Sequence, residues 1–213
     1  MSQILLESSL TNPTPYISSK LTYEEFLKAY DGRYAEFVDA EVIEPMSVTE
    51  RHDDVTGFLF ALLRIFIEER KLGKVKGEPY QMKMVIDGKI KGREPDIFVI
   101  RSENLDRIGE QFLDGAADLV IEVVSPDSIV RDTQDKFEEY EKAGVAEYWI
   151  VDPNRRTANF YARDENGRYK QLFLQEDGKF ESGIIPGLWI DTAWLWQEDL
   201  PTVMSVIKEW KLS

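Results

Sequence analysis

Two acidic side chains stand in segments of the sequence that are otherwise apolar. Glu122 interrupts the run DLVIEVV at 118–124, and Asp96 follows Pro95 at the start of DIFVI. A lone ionised carboxylate buried among Leu, Val and Ile is costly, so each acid needs a cation, hydrogen-bond donors or a raised pKa. Carboxylate oxygens that converge at one sheet edge are the hard ligands that Mg²⁺ and Mn²⁺ prefer. The two acids therefore predict a divalent-metal site; the alternatives are a turn residue for Asp96 and a buried salt bridge for Glu122.

A lysine on the next predicted helix supplies a positive charge for these acids. Asp132, Lys136 and Tyr140 are four residues apart and therefore share one helix face. If this face packs on the sheet, Lys136 can hold or deprotonate a water, or neutralise charge on a phosphoryl oxygen. The alternative is a simple ion pair between Lys136 and Asp132. Taken together with Asp96 and Glu122, the spacing favours a catalytic lysine.

Strands and helices of a mixed α/β (α+β) fold must position these side chains. The pattern predicts a capped helix from Thr22, further helices over 52–70, 132–143 and 202–211, and strands over 34–38, 41–46, 80–86, 96–100, 118–124 and 147–151. The apolar run containing Glu122 is typical of a central strand buried on both faces. Beyond Asp152 the pattern changes to β-hairpins, with strands over 157–162 and 168–174.

Composition limits the class of protein. The chain has 213 residues, no cysteine and a formal charge of -14, so bulk electrostatic attraction to nucleic acid is not expected. Residues 1–20 are predicted to form a flexible arm and 21–213 a single domain. No apolar run is long enough for a membrane span, and we expect a cytoplasmic protein. The basic run from Arg70 to Lys76 is predicted as a solvated loop, with a phosphate-contacting edge as the alternative.

Several segments resemble a known family. These are Glu94-Pro95-Asp96, DLVIEVVSPDS at 118–128 with the helix that follows it, GVAEYWIVDP at 144–153, YAEFVDAEVIEPMS at 34–47 and PGLWI at 186–190. They are similar to the Uma-two family, a bacterial family of restriction endonucleases within the PD-(D/E)XK nuclease superfamily. The resemblance spans roughly residues 22–200, and its central block is specific.

The resemblance implies a restriction-endonuclease-like mixed sheet flanked by helices, and Mg²⁺- or Mn²⁺-dependent endonuclease cleavage of DNA. It makes Asp96 the first metal-binding acid, Glu122 the second, and the backbone carbonyl of Val123 a further metal ligand. The superfamily lysine normally follows the second acid by two residues, where this chain has Val124. Lys136 is then the relocated lysine that supplies the same charge from the helix.

Other residues and functions have open interpretations. Glu36 resembles an acid in the family's first strand and is expected to act as a third ligand or to orient water; an exposed hairpin acid is the alternative. His52, the single histidine, is expected to start a helix or pack rather than to act in catalysis. A non-catalytic module that binds nucleic acid or a protein, and hydrolysis of RNA or a nucleotide, are the alternative functions. We also expect a homodimer, with GLWIDTAWLW at 187–196 as a contact segment unless its tryptophans lie in the core.

Overall fold

A computed structural model describes most of the chain. The described ranges are 16–17, 21–44, 48–125, 131–172 and 178–212. Within them the α-helices are α1 (Tyr23–Ala29), α2 (Glu50–Glu69), α3 (Lys136–Ala143) and α4 (Val203–Glu209). Short 3-10 turns span Ser102–Arg107 and Thr192–Trp196, and one π turn spans Arg131–Asp135.

The strands of the described ranges form two larger sheets and one small pair. They are β1 (Tyr16–Ile17), β2 (Glu36–Val38), β3 (Glu41–Ile43), β4 (Gly73–Lys76), β5 (Gln81–Ile86), β6 (Lys89–Arg93), β7 (Ile97–Arg101), β8 (Phe112–Asp114), β9 (Leu119–Val123), β10 (Glu147–Asp152), β11 (Thr157–Arg163), β12 (Tyr169–Leu172), β13 (Lys179–Glu181) and β14 (Trp189–Asp191). The first sheet has the order β1-β3-β2-β6-β5-β8, the second β12-β11-β10-β9-β7-β4, and β13 pairs with β14. Both larger sheets are mixed, because β9 runs parallel to β10 and β5 parallel to β8.

The second sheet is the centre of the molecule, and its middle strands are buried on both faces. Side chains of β7 and β9 alternate between two apolar clusters. On one face Ile97 and Ile121 pack with the apolar residues of α2. On the other face Phe98 and Val120 pack with Tyr140 of α3. This explains why the run around Glu122 is continuously apolar rather than alternating.

Helix α2 forms because its apolar residues recur at helical spacing and its first turn is capped. The Thr49 hydroxyl accepts a hydrogen bond from the His52 amide at 3.3 Å. Along the helix, Val55, Leu59 and Phe66 are fully or almost fully buried against the second sheet. Because the cap fixes the first turn of α2, it also fixes the position of His52 on the side of this helix that faces the sheet.

Helix α3 starts four residues later than predicted and ends where the sequence predicts. The π turn, Arg131–Asp135, precedes it, so Asp132 lies in a wider turn than an α-helix provides. The helix ends at Gly144, whose φ of 97° lies in the left-handed region. The amide of Gly144 donates to the carbonyl of Tyr140 at 3.0 Å, which closes the last turn.

Most other predicted elements are confirmed with small shifts of their ends. The Thr22 capping box with Glu25 is present. The turn that joins β2 to β3 lies at Asp39 and Ala40, with φ values of 53° and 66°. The hairpin of β11 and β12 and the terminal helix α4 are also present.

One sequence prediction about local structure is wrong, and several strands were not predicted. The lysine-rich segment predicted as a loop forms β4, an edge strand paired with β7. The only buried apolar side chain of β4 is Val75, so the strand has too little alternation of apolar and polar residues to be recognised. The sequence patterns also did not predict β6 and β8. Two residues of the predicted flexible arm, Tyr16–Ile17, form β1 against β3.

Some predictions fall outside what the structure tests. Residues 45–47, 126–128 and 173–177, which belong to predicted segments, lie outside the described residues. The assignment of 21–213 to a single domain stays a prediction. In the described ranges, no helix combines the length and apolar character that a membrane crossing requires.

The left-handed end of α3 gives a stability prediction. Replacing Gly144 with Ala places a Cβ at a positive φ, and we expect a loss of about 1–2 kcal/mol in the free energy of unfolding. Gly57, which is exposed in the middle of α2 with open space around a new Cβ, is the matched control. Gly57→Ala should stabilise the protein by about 0.5–1 kcal/mol. Urea unfolding measures both changes, and equal effects of the two substitutions would contradict the role of Gly144.

Candidate metal and catalytic site

The pairing of β7 with β9 brings the two predicted acids together. The antiparallel pairing of β7 with β9 ends at Ile97 and Ile121. Asp96 directly precedes β7 and Glu122 follows Ile121, so the two acids lie at the same end of this pairing. The amide of Val123 donates a hydrogen bond to Asp96 Oδ2 at 2.6 Å, which anchors Asp96 to the strand that carries Glu122.

Lys136 projects from α3 into a group of carboxylates and is 3% exposed. Its Nζ lies 2.9 Å from Glu122 Oε1 and 3.4 Å from Glu36 Oε1. The i, i+4 partner Asp132 is also close, with 3.4 Å between Lys136 Nζ and Asp132 Oδ1. The hydroxyl of Tyr140, one helical turn later, donates to Glu122 Oε1 at 2.7 Å. The predicted shared face of Asp132, Lys136 and Tyr140 therefore does face the sheet.

Burial controls the protonation of these groups. Burial raises the pKa of Glu122 well above its usual value, and the charges of Asp96 and Asp132 add to this shift, while Lys136 opposes it. Burial alone would lower the pKa of Lys136, but Glu122, Glu36 and Asp132 outweigh it and raise that pKa. Lys136 therefore remains an ammonium ion, which acts as a donor and a positive charge rather than as a base.

Glu36 belongs to the same buried group and is not an exposed hairpin acid. Its side chain on β2 accepts a hydrogen bond from Arg93 at 2.7 Å and is 5% exposed. Burial favours the neutral form of Glu36, but Lys136 and Arg93 outweigh burial and lower its pKa to about 2. Arg93 also contacts Glu139 of α3 at 2.7 Å. Glu36 thus links the first sheet to α3 through two cations.

His52 approaches Asp96 from the opposite side of the sheet. Its Nε2 lies 3.3 Å from Asp96 Oδ2, whereas its Nδ1 has no hydrogen-bond partner in the described part of the chain. Burial lowers the pKa of His52, but the contact with Asp96 outweighs it and the net pKa is raised. His52 lies in the first turn of α2, as expected. It also contacts Asp96, a predicted metal ligand, and the sequence interpretation did not include this contact.

Two further acids add to the negative charge around this group. Loss of hydration, together with repulsion from Asp96, raises the pKa of Glu78 to about 7, even though the residue as a whole is exposed. Glu94 is 3% exposed, and burial raises its pKa to about 8. Loss of hydration is the main cause of both shifts, and neighbouring carboxylates add to it.

The available donors fit a small divalent cation with few protein ligands. Within the described residues, no three His, Asp or Glu side chains are arranged to hold a metal ion. Asp96, Glu122 and the carbonyl of Val123 offer two carboxylates and one peptide oxygen. Mg²⁺ is usually held by one or two carboxylates and keeps several waters. The buried Oδ1 of Asp132 accepts no hydrogen bond in the described part of the chain, and its charged neighbours are Lys136 Nζ at 3.4 Å and Arg131 Nε at 3.7 Å.

Val124 occupies the position at which the sequence resemblance predicts a lysine. Its side chain is 1% exposed and packs in the apolar cluster on the α3 face. Its amide donates to the carbonyl of Val151 at 2.7 Å. The charge that this position lacks is present 12 residues later, at Lys136, on the same face of the sheet.

The sequence interpretation missed Arg93, Glu94 and Glu78 as parts of this group. Arg93 lies at the end of β6, a strand that the pattern did not reveal because its other residues, KIKG, carry almost no apolar periodicity. A signal was available: Arg93 and Glu94 directly precede the Pro95-Asp96 pair. Side chains alternate between the two sides of an extended segment, so residues that precede a buried acid in the sequence also lie near it in the structure.

The fold and site together define an α+β protein of the restriction-endonuclease-like class, with acids on paired strands and a lysine on the next helix. Residues 23–193 match the model of the Uma2 family, which is described as "Putative restriction endonuclease". Because this match covers most of the chain, the protein belongs to the Uma2 family, the Uma-two family of the sequence resemblance.

A solved structure has the same fold. It is the crystal structure, at 1.96 Å resolution, of "a putative nuclease belonging to DUF820" from Anabaena variabilis. The TM-score is 0.67 at 17% sequence identity, and the match covers 83% of this chain and 97% of that chain. At this identity the likeness concerns the fold alone. A search among proteins of curated function gives no significant match.

The buried ammonium gives the second stability prediction. Lys136→Met keeps the side-chain length but leaves Glu36, Glu122 and Asp132 without their shared cation, so we expect a loss of about 3–5 kcal/mol in the free energy of unfolding. Combining it with Glu122→Gln removes one of the unpaired charges and should recover part of this loss. Urea unfolding at neutral pH measures both variants.

Lys142 on the same helix is the control. Its side chain is 48% exposed and lies 3.7 Å from Asp87. Lys142→Met should change the free energy of unfolding by less than about 1 kcal/mol. A Lys136→Met protein as stable as the Lys142→Met protein would show that the buried charges do not depend on Lys136.

Proposed function

We propose that this protein is a Mg²⁺- or Mn²⁺-dependent endonuclease that hydrolyses phosphodiester bonds in DNA. The observation that carries the proposal is that Asp96, Glu122 and Lys136 lie close together at one end of the β7–β9 pair. Membership of a family described as restriction endonucleases supports DNA as the substrate. The proposed metal ligands are Asp96, Glu122 and the carbonyl of Val123.

The bound divalent ion would supply Lewis acidity that polarises the scissile phosphate and lowers the pKa of an attacking water. Asp96 is held for ligation by the Val123 amide and by His52. Glu122 is held by Lys136 and by the hydroxyl of Tyr140. These contacts fix both carboxylates before a ligand arrives, and such fixed outer contacts orient metal ligands in proteins.

Lys136 contributes positive charge at the point where negative charge grows on the phosphoryl oxygens. Its raised pKa keeps the ammonium protonated. Of the three roles considered for it, charge stabilisation and water orientation are therefore favoured over removal of a proton. Glu36 lies 3.4 Å from the same ammonium and remains ionised. It therefore positions Lys136 and is available to orient a water.

Cleavage of plasmid DNA tests this proposal. Asp96→Asn keeps an oxygen that accepts from the Val123 amide but removes the ligand charge. We expect it to lower the Mg²⁺-dependent nicking rate at least about 100-fold, because a metal at the reacting phosphate stabilises the transition state by several kcal/mol. Glu122→Gln should have a similar effect. Lys142→Ala, on the exposed side of α3, should leave the rate unchanged.

The structural controls for this experiment are unfolding curves and circular dichroism of each variant. A variant that is folded and retains full Mg²⁺-dependent nicking after loss of Asp96 or Glu122 would rule out the ligand assignment. Nicking that persists in EDTA would exclude metal dependence.

A second candidate function is a nuclease fold that binds nucleic acid or a protein without cleavage. The specific observation in its favour is the 2.9 Å contact between Lys136 Nζ and Glu122 Oε1, because an internal cation already neutralises the second acid. Val124 in the usual lysine position points in the same direction. The two functions differ in whether the acids bind a divalent cation.

Mn²⁺ binding separates the two functions without a substrate. A ligand that binds the folded state raises its stability by RT ln(1 + [L]/Kd). For the nuclease, we expect Mn²⁺ at 100 times its Kd to stabilise the protein by about 2.7 kcal/mol, measured by urea unfolding with and without EDTA. Asp96→Asn should abolish this increase. The non-cleaving module is favoured if Mn²⁺ stabilises the unmodified protein and the Asp96→Asn variant equally, or if it does not stabilise the unmodified protein.

A further inference from the structure

Four basic residues lie close together in the sequence beside one edge of the second sheet. Arg70 and Lys71 follow the end of α2, and Lys74 and Lys76 lie on β4; we call these four residues the basic edge. Arg70, Lys71 and Lys74 are exposed and Lys76 is half-buried. The chain has a formal charge of -14, so the electrostatic potential near these four residues is more positive than the net charge of the chain suggests.

In the part of the chain that the structure describes, none of the four cations of the basic edge forms an ion pair with an acid. Arg70 instead lies over the Phe66 ring at 4.7 Å, and Lys76 lies over the Tyr80 ring at 4.8 Å. At the other edge of the same sheet, Lys170 pairs with Asp164 at 3.2 Å. The unpaired charges of the basic edge are therefore available to an anionic partner.

The register of β4 places its lysines on the face that carries the candidate site. Lys74 lies opposite Ile100 and Lys76 opposite Phe98. Phe98 in turn lies opposite Val120, and Val120 is two residues from Glu122 on the same face of β9. The two lysines, Phe98 and Glu122 therefore project from one side of the sheet.

The end of β4 leads directly to Asp96. Gly77 follows the strand, and a Cβ on Gly77 would collide with the backbone carbonyl oxygen of Asp96. Extending the register by two residues places Glu78 opposite Asp96, in accord with the repulsion between their carboxyl groups. From Lys76 this is roughly 7 Å along the strand and one strand spacing of about 5 Å. Lys76 thus lies within about two to three nucleotides, at 3.4 Å each, of a phosphate held at Asp96.

We propose that the basic edge binds the phosphate backbone of duplex DNA beside the phosphodiester that the site engages. This inference rests on the proposed function, because it takes DNA as the substrate. An edge strand with alternating lysines presents its charges along a line, as a polyanionic backbone requires. Phosphate contacts of this kind set the position of a protein on DNA without specifying sequence. The net negative charge of the remaining chain repels DNA, so the basic edge also determines how the duplex is oriented.

Salt-dependent DNA binding tests this inference without any catalytic step. Binding of the full chain to a fluorescent 20-base-pair duplex is measured in EDTA by anisotropy at several salt concentrations. Each phosphate contact contributes about -0.9 to the slope of log K against log salt. We expect Lys74→Ala/Lys76→Ala to weaken binding and to reduce the steepness of this slope by roughly 1.8, for two lost contacts.

The matched control removes the same charge from the opposite edge of the sheet. Arg168 and Lys170 at β12 have side chains that are 73% and 71% exposed. Arg168→Ala/Lys170→Ala should leave the slope close to that of the unmodified protein. The inference is overturned if both double variants change the slope equally, if neither changes it, or if the unmodified protein does not bind the duplex at low salt.

Failure of the proposed function gives a different result. If the protein binds DNA with the expected loss of slope in Lys74→Ala/Lys76→Ala but never nicks DNA with Mg²⁺ or Mn²⁺, the basic edge is supported and the nuclease activity is rejected. If the protein nicks DNA but the slope is insensitive to Lys74 and Lys76, the nuclease is supported and the basic edge is rejected.

Discussion

The site depends on one buried ammonium. Lys136 is surrounded by Glu36, Glu122 and Asp132, each within 3.4 Å of its Nζ. Removing this cation would leave three carboxylates in a region where water cannot solvate them. The three elements that carry the acids, β2, β9 and the π turn, are therefore tied to α3 by electrostatics as well as by packing. The widened π turn allows Asp132 to share the ammonium that Glu122 contacts.

Two helices hold the paired strands β7 and β9 from opposite faces, and each contributes to one acid. From the α3 face, Lys136 and Tyr140 contact Glu122. From the α2 face, His52 contacts Asp96. The two carboxylates are thus fixed by different parts of the core, so a shift of either helix would change the distance between them. Such separate support is how a scaffold keeps metal ligands in position before the metal binds.

Sequence patterns predicted the residues of this site better than they predicted its surroundings. Glu122 was recognisable because a charge inside an apolar strand must have a partner, and Lys136 because four-residue spacing defines a helix face. Arg93 was not recognisable, because β6 has no apolar alternation and its pairing with β2 and β5 is a property of the whole sheet. β4 was hidden for a similar reason, since edge strands rich in lysine resemble solvated loops. The prediction of a homodimer remains untested, although Trp194 of the expected contact segment is buried in the core.

The negative charge of the chain does not exclude the proposed DNA substrate, because the charges are distributed unevenly. Association with DNA depends on the charges that face it rather than on the net charge. Glu36 and Glu122 are buried and partly neutralised by Lys136 and Arg93, so they contribute less to the field outside the protein than exposed acids would. In the proposed nuclease, the basic edge would attract the DNA backbone with or without a metal ion. A divalent cation at Asp96 and Glu122 would add to that attraction at the scissile phosphate.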